Sequence, residues 1–485
     1  MDVLKDITLI QPEVVLSVGI LASLIVEILT QRPVKWFVPI FSIIVLSTTG
    51  FYVITNLYNS GEPFKMLFVS PLNRMFDLVI ILGAIITTIL AWDRNGEHHF
   101  LILSAVLGAM ILVKSVNFIS FILALELFSF AVVGQIALSR DTFGTEAGLK
   151  FFFLSVLAST LIIMGVALLY SIFGTFDFKG IYDDFKRIYD FKRIYIETPI
   201  TPIFQTKPLL FVLAFTLIFV GLAFKLSAVP FHFWTPEVFQ GAHSSVGGFI
   251  STVSKASAFG FLINFLYRLF GNIPYFWGEI LMWMGAITMF VGNLAALAEK
   301  DIKRLLGFST IAHAGYIMTA FGLGKTGAMS GVISGAIFYL LVYTLMTLGA
   351  FAVVNSVDER KTSLEYYKGL SKRNGLQAFL LLIFFVSLAG VPPTAGFVAK
   401  FYLFQELVRE REFFFAIWAF LNGVISLFYY SRPIFYAYGF EPRYEVKGVL
   451  NPSVALAFVL GFVGVFYLGL APSFVLDFIR GIFYP

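Results

Sequence analysis

An apolar run of membrane-spanning length recurs fourteen times in this chain, and that repetition constrains the fold more than any single motif. The runs lie near residues 14–29, 36–57, 74–92, 99–113, 117–138, 147–173, 208–231, 244–270, 274–298, 303–323, 328–354, 376–407, 413–438 and 453–476. Rising about 1.5 Å per residue, a helix of roughly 17 to 25 residues crosses about 30 Å of hydrocarbon. A barrel requires shorter runs of alternating polarity. Hydrophobic residues make up 59% of the chain and charged residues 13%, and the mean hydropathy is +0.88. That is outside the soluble range, so the expected class is an all-α integral membrane protein with about fourteen transmembrane helices.

The first run follows Asp2, Lys5 and Asp6, without the basic start or small-residue cleavage pattern of a signal peptide, and reads as a retained helix. The chain contains no cysteine. Disulfides, thiolate metal sites and cysteine-ligated clusters are therefore excluded, and any redox centres are expected on other chains. Two of the five histidines, His98 and His99, fall in the polar connection "DRNGEHHF", which leaves few candidates for a bis-histidine haem. Neither a G-x-x-x-x-G-K-[ST] loop nor a strand-based G-x-G-x-x-G is present, so direct use of ATP or NADH is not indicated. The net charge of +5 reads as loops facing anionic lipid, and no basic domain stands apart to bind nucleic acid.

Orientation follows from lysine and arginine placement. With fourteen spans both termini share a side, and the opposite loops hold Glu299 to Arg304, Asp358 to Arg373, Arg32 with Lys35, and Arg443 with Lys447. Those loops are expected to be cytoplasmic, with the termini outside. The loop from Phe176 to Lys207 carries the tandem copy "DFKRIYDFKRIY" (Asp184 to Tyr195), which reads as a local duplication or an amphipathic surface turn.

The charges inside the runs are the informative residues. A lysine at a helix centre costs about 2.5 to 3.5 kcal/mol, so Lys150, Lys225, Lys255 and Lys400 together cost on the order of 10 kcal/mol. Snorkelling to the headgroups is the competing reading. It is weakest for Lys225 and Lys255, which are deep in their runs, and for Lys150, at the start of its run, the two readings stay open. Glu126, central in "FILALELFSFAVVG", needs a cation or water to stay ionised. Glu27 and Asp77 lie nearer helix ends and read equally as structural, while His313 in "STIAHAGYIM" is either a satisfied core histidine or a relay group.

Pro230 follows Lys225, and Pro392 with Pro393 precedes Lys400, so two late spans are each interrupted beside a lysine. A proline leaves a carbonyl unpaired, which a bilayer tolerates only where protein or water satisfies it. Paired broken helices point to an inverted-repeat transporter with its pathway at the midplane. The chemistry these residues permit is proton relay. A lysine out of water releases its proton more readily, and a neighbouring carboxylate reverses that, so movement of Glu126 relative to Lys225 can switch the lysine. Small residues near the breaks, Gly221, Ser227, Ser254 and Gly396, are expected to leave room for water.

At these residues the chain resembles the antiporter-like membrane subunits of respiratory complex I and their relatives in Mrp-type sodium/proton antiporters. The resemblance runs from about Leu101 to Tyr430 and rests on "LALELFSF", "GLAFKLSAVPFHFWTPEVFQGAH", "STVSKASAFGF", "NLAALAEKDIKRLLGFSTIAHAGYI" and "SLAGVPPTAGFVAKFYLF". It implies fourteen helices with two inverted five-helix repeats containing discontinuous helices. On this chain that gives helices 1–3 in 1–98, a first repeat in 99–271, a second in 272–440, and a last helix in 441–485. It also implies a pair at Glu126 and Lys225, a central lysine at Lys255 and an exit lysine at Lys400, with Lys150 and His313 as further relay candidates. Lys400 stands where one complex I member typically has glutamate, and the long lateral helix of the largest member is not expected here. One departure is "GAHSS", whose His243 has no assigned role.

The function so implied is proton translocation by a subunit that carries no cofactor of its own. Flavin, iron–sulfur clusters and quinone are expected on partner subunits, with adjacent antiporter-like and small membrane subunits as neighbours in a bacterial-type inner membrane. An Mrp-type antiporter subunit, a subunit of a membrane-bound hydrogenase or formate complex, and a passive scaffold are the alternatives.

Overall fold

The computed structural model describes residues 2–29, 36–139, 142–184, 186, 208–271, 274–326, 329–444 and 451–482. Arg32, Lys35 and Lys447, and most of the tandem copy in 184–195, lie outside the described residues. Helices α1 (Asp2–Leu9), α2 (Gln11–Leu29), α3 (Phe37–Thr55), α4 (Pro71–Leu90), α5 (Gly96–Lys114), α6 (Phe118–Ala137) and α7 (Thr142–Phe173) make up the first part. They are followed by α8 (Pro208–Leu226), α9 (Trp234–Gly241), α10 (Ser244–Leu269), α11 (Pro274–Ala298), α12 (Ile302–Phe321) and α13 (Met329–Val357). The last are α14 (Gly375–Ala389), α15 (Ala395–Arg409), α16 (Phe413–Gly439), α17 (Pro452–Leu470) and α18 (Ser473–Gly481). Among the described residues thirteen helices are long and apolar enough to span a membrane. The shorter α14 and α15 divide the expected run 376–407 between them.

Local chemistry sets these boundaries. Ser70 caps α4 by accepting from the Asn73 amide, with Pro71 at the first position, where a missing N–H costs nothing. Asp301 caps α12 by accepting from the amides of Lys303 and Arg304 at 2.9 and 3.1 Å. The expected run 208–231 stops as a helix at Leu226, because Pro230 cannot donate and disfavours helical backbone before it. Likewise α14 ends at Gly390 (φ +86), a left-handed stop suited to glycine, ahead of Pro392 and Pro393. The run 453–476 is cut in the same way, with α18 starting after Pro472.

The centre of the bundle is formed by α10, α12 and α13, whose apolar windows are 100%, 94% and 94% buried, whereas that of α7 is 39% buried. The central helices therefore meet protein on all sides and can carry polar groups that lipid would exclude. π-Helical turns at Ile250–Ser254 and Asn264–Leu269 flank the segment of α10 that begins with Lys255.

Around the first break, α8 packs closely on α7. A Cβ placed on Gly221 meets Ile162 and, at 2.7 Å, the Ala158 carbonyl oxygen. Gly221 thus serves close packing and not water, contrary to the sequence expectation, and Gly396 presses on the Ser387 backbone in the same way. We expect Gly221→Leu to force α8 off α7 and cost about 1–3 kcal/mol, read as a lowered melting temperature of the purified protein. An unchanged melting temperature contradicts that packing role.

Candidate proton-transfer site

The two helix breaks share one physical solution. Past the end of α8 at Leu226, the amides of Ser227 and Ala228 pair the carbonyls of Phe224 and Ala223, while that of Val229 turns to Thr288 Oγ1 and leaves the Lys225 carbonyl without it. Lys255, reaching across from α10, donates its Nζ to the Lys225 carbonyl at 3.2 Å and to Ser227 Oγ at 2.6 Å. Ser227 has a left-handed φ of +58, a conformation that costs a serine about 1–2 kcal/mol. Bonds from Lys255 and from Thr235 Oγ1 at 2.8 Å hold it there. At the second break Lys400 donates to the carbonyls of Leu388 and Ala389, at 3.1 and 2.9 Å. A positive charge at a helix C-terminus is favourable on dipole grounds as well. Each break leaves carbonyls without a helical partner, and the buried ammonium groups satisfy them.

Lys225 itself, on the last turn of α8, is buried and donates to Ser129 Oγ (2.7 Å) and Ser155 Oγ (2.8 Å). Ser155 comes within reach because Gly221, one turn earlier, lets α8 approach α7. Glu126 is one turn before Ser129 on α6, and its buried Oε1 has no hydrogen-bond partner. The carboxylate and the ammonium are thus associated with one junction, where the charge of Glu126 acts on Lys225. A cavity of about 20 Å³, lined by Lys225, Leu125, Phe128, Ser254 and Ser257, adjoins them. That volume admits one water.

His313, on α12, is held from both ring nitrogens. Nδ1 is 2.5 Å from Tyr339 Oη on α13, and Nε2 is 3.2 Å from Tyr430 Oη on α16. Toward α10, Tyr343 donates to Thr310 Oγ1 at 3.0 Å, and Thr310 is 3.3 Å from Ser251 Oγ. Toward Lys400, Tyr430 is bonded to Ser309, and Tyr429 donates to Asn293 Oδ1 at 3.0 Å. Asn293 Nδ2 in turn donates to Tyr316 Oη at 3.2 Å, and the Tyr316 ring lies 5.3 Å from Lys400 Nζ. Sequence reasoning missed these tyrosines and Asn293.

Lys150 is elsewhere. It is half exposed near the start of α7 and pairs with Glu146 (2.8 Å) and Glu237 (2.9 Å), a rim contact that solvent screens. His98 and His99 are not in a polar connection as the sequence suggested, but buried on the first turn of α5. His98 lines a cavity of about 200 Å³ with Asp93, Arg94, Gln135 and His243. A second cavity of about 710 Å³ shares Asp93, Arg94 and His243 and adds Lys303 and Glu359. Lys303 donates to Glu359 Oε1 at 2.8 Å and to the Ala242 carbonyl at 3.0 Å, while the Ser244 amide donates to the same carboxylate. His243, the residue without an assigned role, caps α10 by accepting from the Ser245 amide at 3.3 Å. Among the described residues no group of three His, Asp or Glu side chains is placed to hold a metal ion.

With this architecture on the page, the chain is a multi-pass membrane protein of the NADH:quinone oxidoreductase/Mrp antiporter transmembrane family, whose model matches residues 115–426. It belongs to that family. It is 32% identical to an NADH-quinone oxidoreductase subunit N from Trichlorobacter lovleyi over 98% of this chain and 96% of that one. It is 34% identical to subunit N 1 of Thermodesulfovibrio yellowstonii, over 86% and 87%. Among solved structures, a chain of respiratory complex I from Thermus thermophilus with bound aureothin superposes with a TM-score of 0.78 at 29% identity, covering 96% of this chain and 98% of that chain. A chain of the Mrp complex from Dietzia sp. DQ12-45-1b gives 0.81 at 18% identity over 98% and 96%, a likeness of fold alone.

Two loop groups carry a pH prediction. Burial alone raises Glu359, but the charges of His243 and Lys303 and the bonds from Lys303 and Ser244 override it and hold the carboxyl at about 2. Burial pushes His243 down to about 4, although Glu359 opposes this, so at neutral pH Lys303 is the charged partner. A histidine depressed in the folded state takes up its proton more readily when unfolded, so stability falls as pH drops from 6.5 toward about 4. The Glu359 contribution is present above its unfolded value and is lost only as pH falls toward about 2. We expect chemical denaturation to show a stability loss between those first two limits that is smaller in His243→Asn than in the wild type, by on the order of 3 kcal/mol. Equal slopes in both proteins contradict this.

Proposed function

We propose that the chain is the proton-translocating membrane subunit of an NADH-quinone oxidoreductase, driven by redox chemistry on partner subunits. The observation that carries this reading is the contact of Lys255 with the Lys225 carbonyl and Ser227 across the α8 break, because it brings two buried lysines to one interruption of the helix. Flavin, iron–sulfur clusters and quinone belong to the partner chains in this reading, and electron transfer does not pass through this one.

Protons enter from the side of the His98 and His243 cavities, which is cytoplasmic if the termini face outward in a bacterial-type inner membrane. Lys225 receives one proton at a time through the serine hydroxyls and water. With Glu126 drawn close, the ammonium form is held; with Glu126 apart, the proton is released toward Lys255. From there the route runs by Ser251, Thr310 and Tyr343, whose ring centroid lies 4.8 Å from that of His313. A proton arriving at one ring nitrogen releases another from the opposite nitrogen, so one proton moves and none accumulates. Lys400, beside the second break, hands protons to the far side. Residues 99–271 and 272–440 serve as the two inverted repeats, between helices 1–3 in 1–98 and a last helix in 441–485. Lys150 acts at the rim, toward an adjacent membrane subunit.

Replacing Lys225 with alanine is expected to cut proton uptake into sealed vesicles on the order of tenfold or more while the complex still assembles. Normal pumping in that variant contradicts the relay. Sodium-dependent proton flux with no electron donor would instead mark an antiporter.

A further inference from the structure

Away from the Glu126 to Lys400 line, four ionisable side chains are buried together where α2, α4 and α5 meet. Lys114, Asp77 and Arg74 are fully buried and Glu13 is 4% exposed. Lys114 Nζ is 2.7 Å from Glu13 Oε1 and is bonded to Asp77. Arg74 donates one Nη2 bond, at 2.9 Å, to the carbonyl of Leu9 at the end of α1. The arrangement is unbalanced, since both acids converge on one lysine while the guanidinium is satisfied only by a backbone carbonyl.

The imbalance leaves Arg74 Nε and Nη1, Asp77 Oδ1 and Glu13 Oε2 buried without hydrogen-bond partners. A buried polar atom without a partner is costly, and four at one junction demand water or a mobile proton. A purely structural ion pair, by contrast, has its remaining lone pairs and protons satisfied by further hydrogen bonds. The neighbouring helices supply no alternative partner. The charges acting on Asp77 are those of Lys114, Glu13 and Arg74. From the other helices packed on α4, α3, α13 and α17 bring no charged side chain, although α3 carries Tyr52, α13 carries Tyr339 and Tyr343, and α17 carries Tyr467. α10 brings the amide of Asn264, with Lys255 nine residues away, about 13 Å of helix rise. Its Arg268 pairs with Glu62 at 3.3 Å.

We infer that Glu13, Arg74, Asp77 and Lys114 form a second buried proton-exchange site, in which a proton is shared between the two carboxylates through Lys114 and bound water. The site lies toward the side of the membrane on which α1 lies, because all four residues occupy the α1-side ends of their helices. It is joined to the central helix. Asn264 Nδ2 donates at 2.6 Å to the carbonyl of Val113, the residue before Lys114, and Asn73 Nδ2 donates to that carbonyl at 3.2 Å. Movement of α10 about its π-helical turns therefore reaches Lys114 through one hydrogen bond.

The test is infrared titration of the purified assembly that contains this chain, following the carboxylic C=O stretch between about pH 9 and 5, where an unperturbed surface carboxylate stays ionised over most of the range. A protonated-carboxyl band should appear in the wild type, vanish in Asp77→Asn, shift in Glu13→Gln and Lys114→Met, and return in Asp77→Glu. It should persist in Lys225→Ala, so its fate is separable from that of the pump reading. If no carboxyl band titrates in this range, or if the band is unchanged in Asp77→Asn, the cluster is a static ion pair and the proposal fails.

Discussion

The structure depends on how two interrupted helices are kept intact inside a membrane. Each break exposes backbone carbonyls that lipid cannot satisfy, and each is met by a lysine from a position distant along the helix or on another one. Lys255 holds the end of α8 and Lys400 holds the end of α14. The cost of burying an ammonium and the cost of an unpaired carbonyl offset one another, and both groups remain responsive to the local field. Without the lysines the breaks would be orphaned backbone; without the breaks the lysines would be unpaired charges.

From that exchange the rest of the central architecture follows. The lysines require wholly protein-lined surroundings, and α10, α12 and α13 are accordingly the most buried spans. Hydroxyls fill the intervals between charges: Ser129 and Ser155 at Lys225, Thr310 and Tyr343 beside α10, Tyr339 and Tyr430 around His313. These groups conduct by exchanging hydrogen bonds without adding net charge to a low-dielectric interior. Where backbones must come close, as at Gly221, the side chain is absent altogether.

Much of this was legible in the sequence because lysine and proline are conspicuous in apolar runs. The spans, the broken helices, and Lys225, Lys255 and Lys400 as buried groups were all readable. The tyrosine and asparagine links were not, since 18% of the chain is aromatic and a phenol among phenylalanines carries no periodic signal. Lys114, Glu13 and Asp77 escaped notice as a cluster because a charge near a helix end looks interfacial until its neighbours are known. Gly221 and Gly396 show the opposite error: small residues read as space for water turned out to mark contact. Lys150 looked like the other lysines by composition, yet its position at the start of α7 puts it beside Glu146 and Glu237.

The most direct test of the account replaces Lys255 with methionine, which keeps the length of the side chain and removes its charge and donors, and counts protons moved per NADH oxidised in sealed vesicles. The account predicts that the ratio or the coupled rate falls several-fold in the assembled complex, with Lys255→Arg retaining more than Lys255→Met. A methionine variant that assembles and pumps at the wild-type ratio and rate would contradict the claim that the ammonium at the α8 break carries protons.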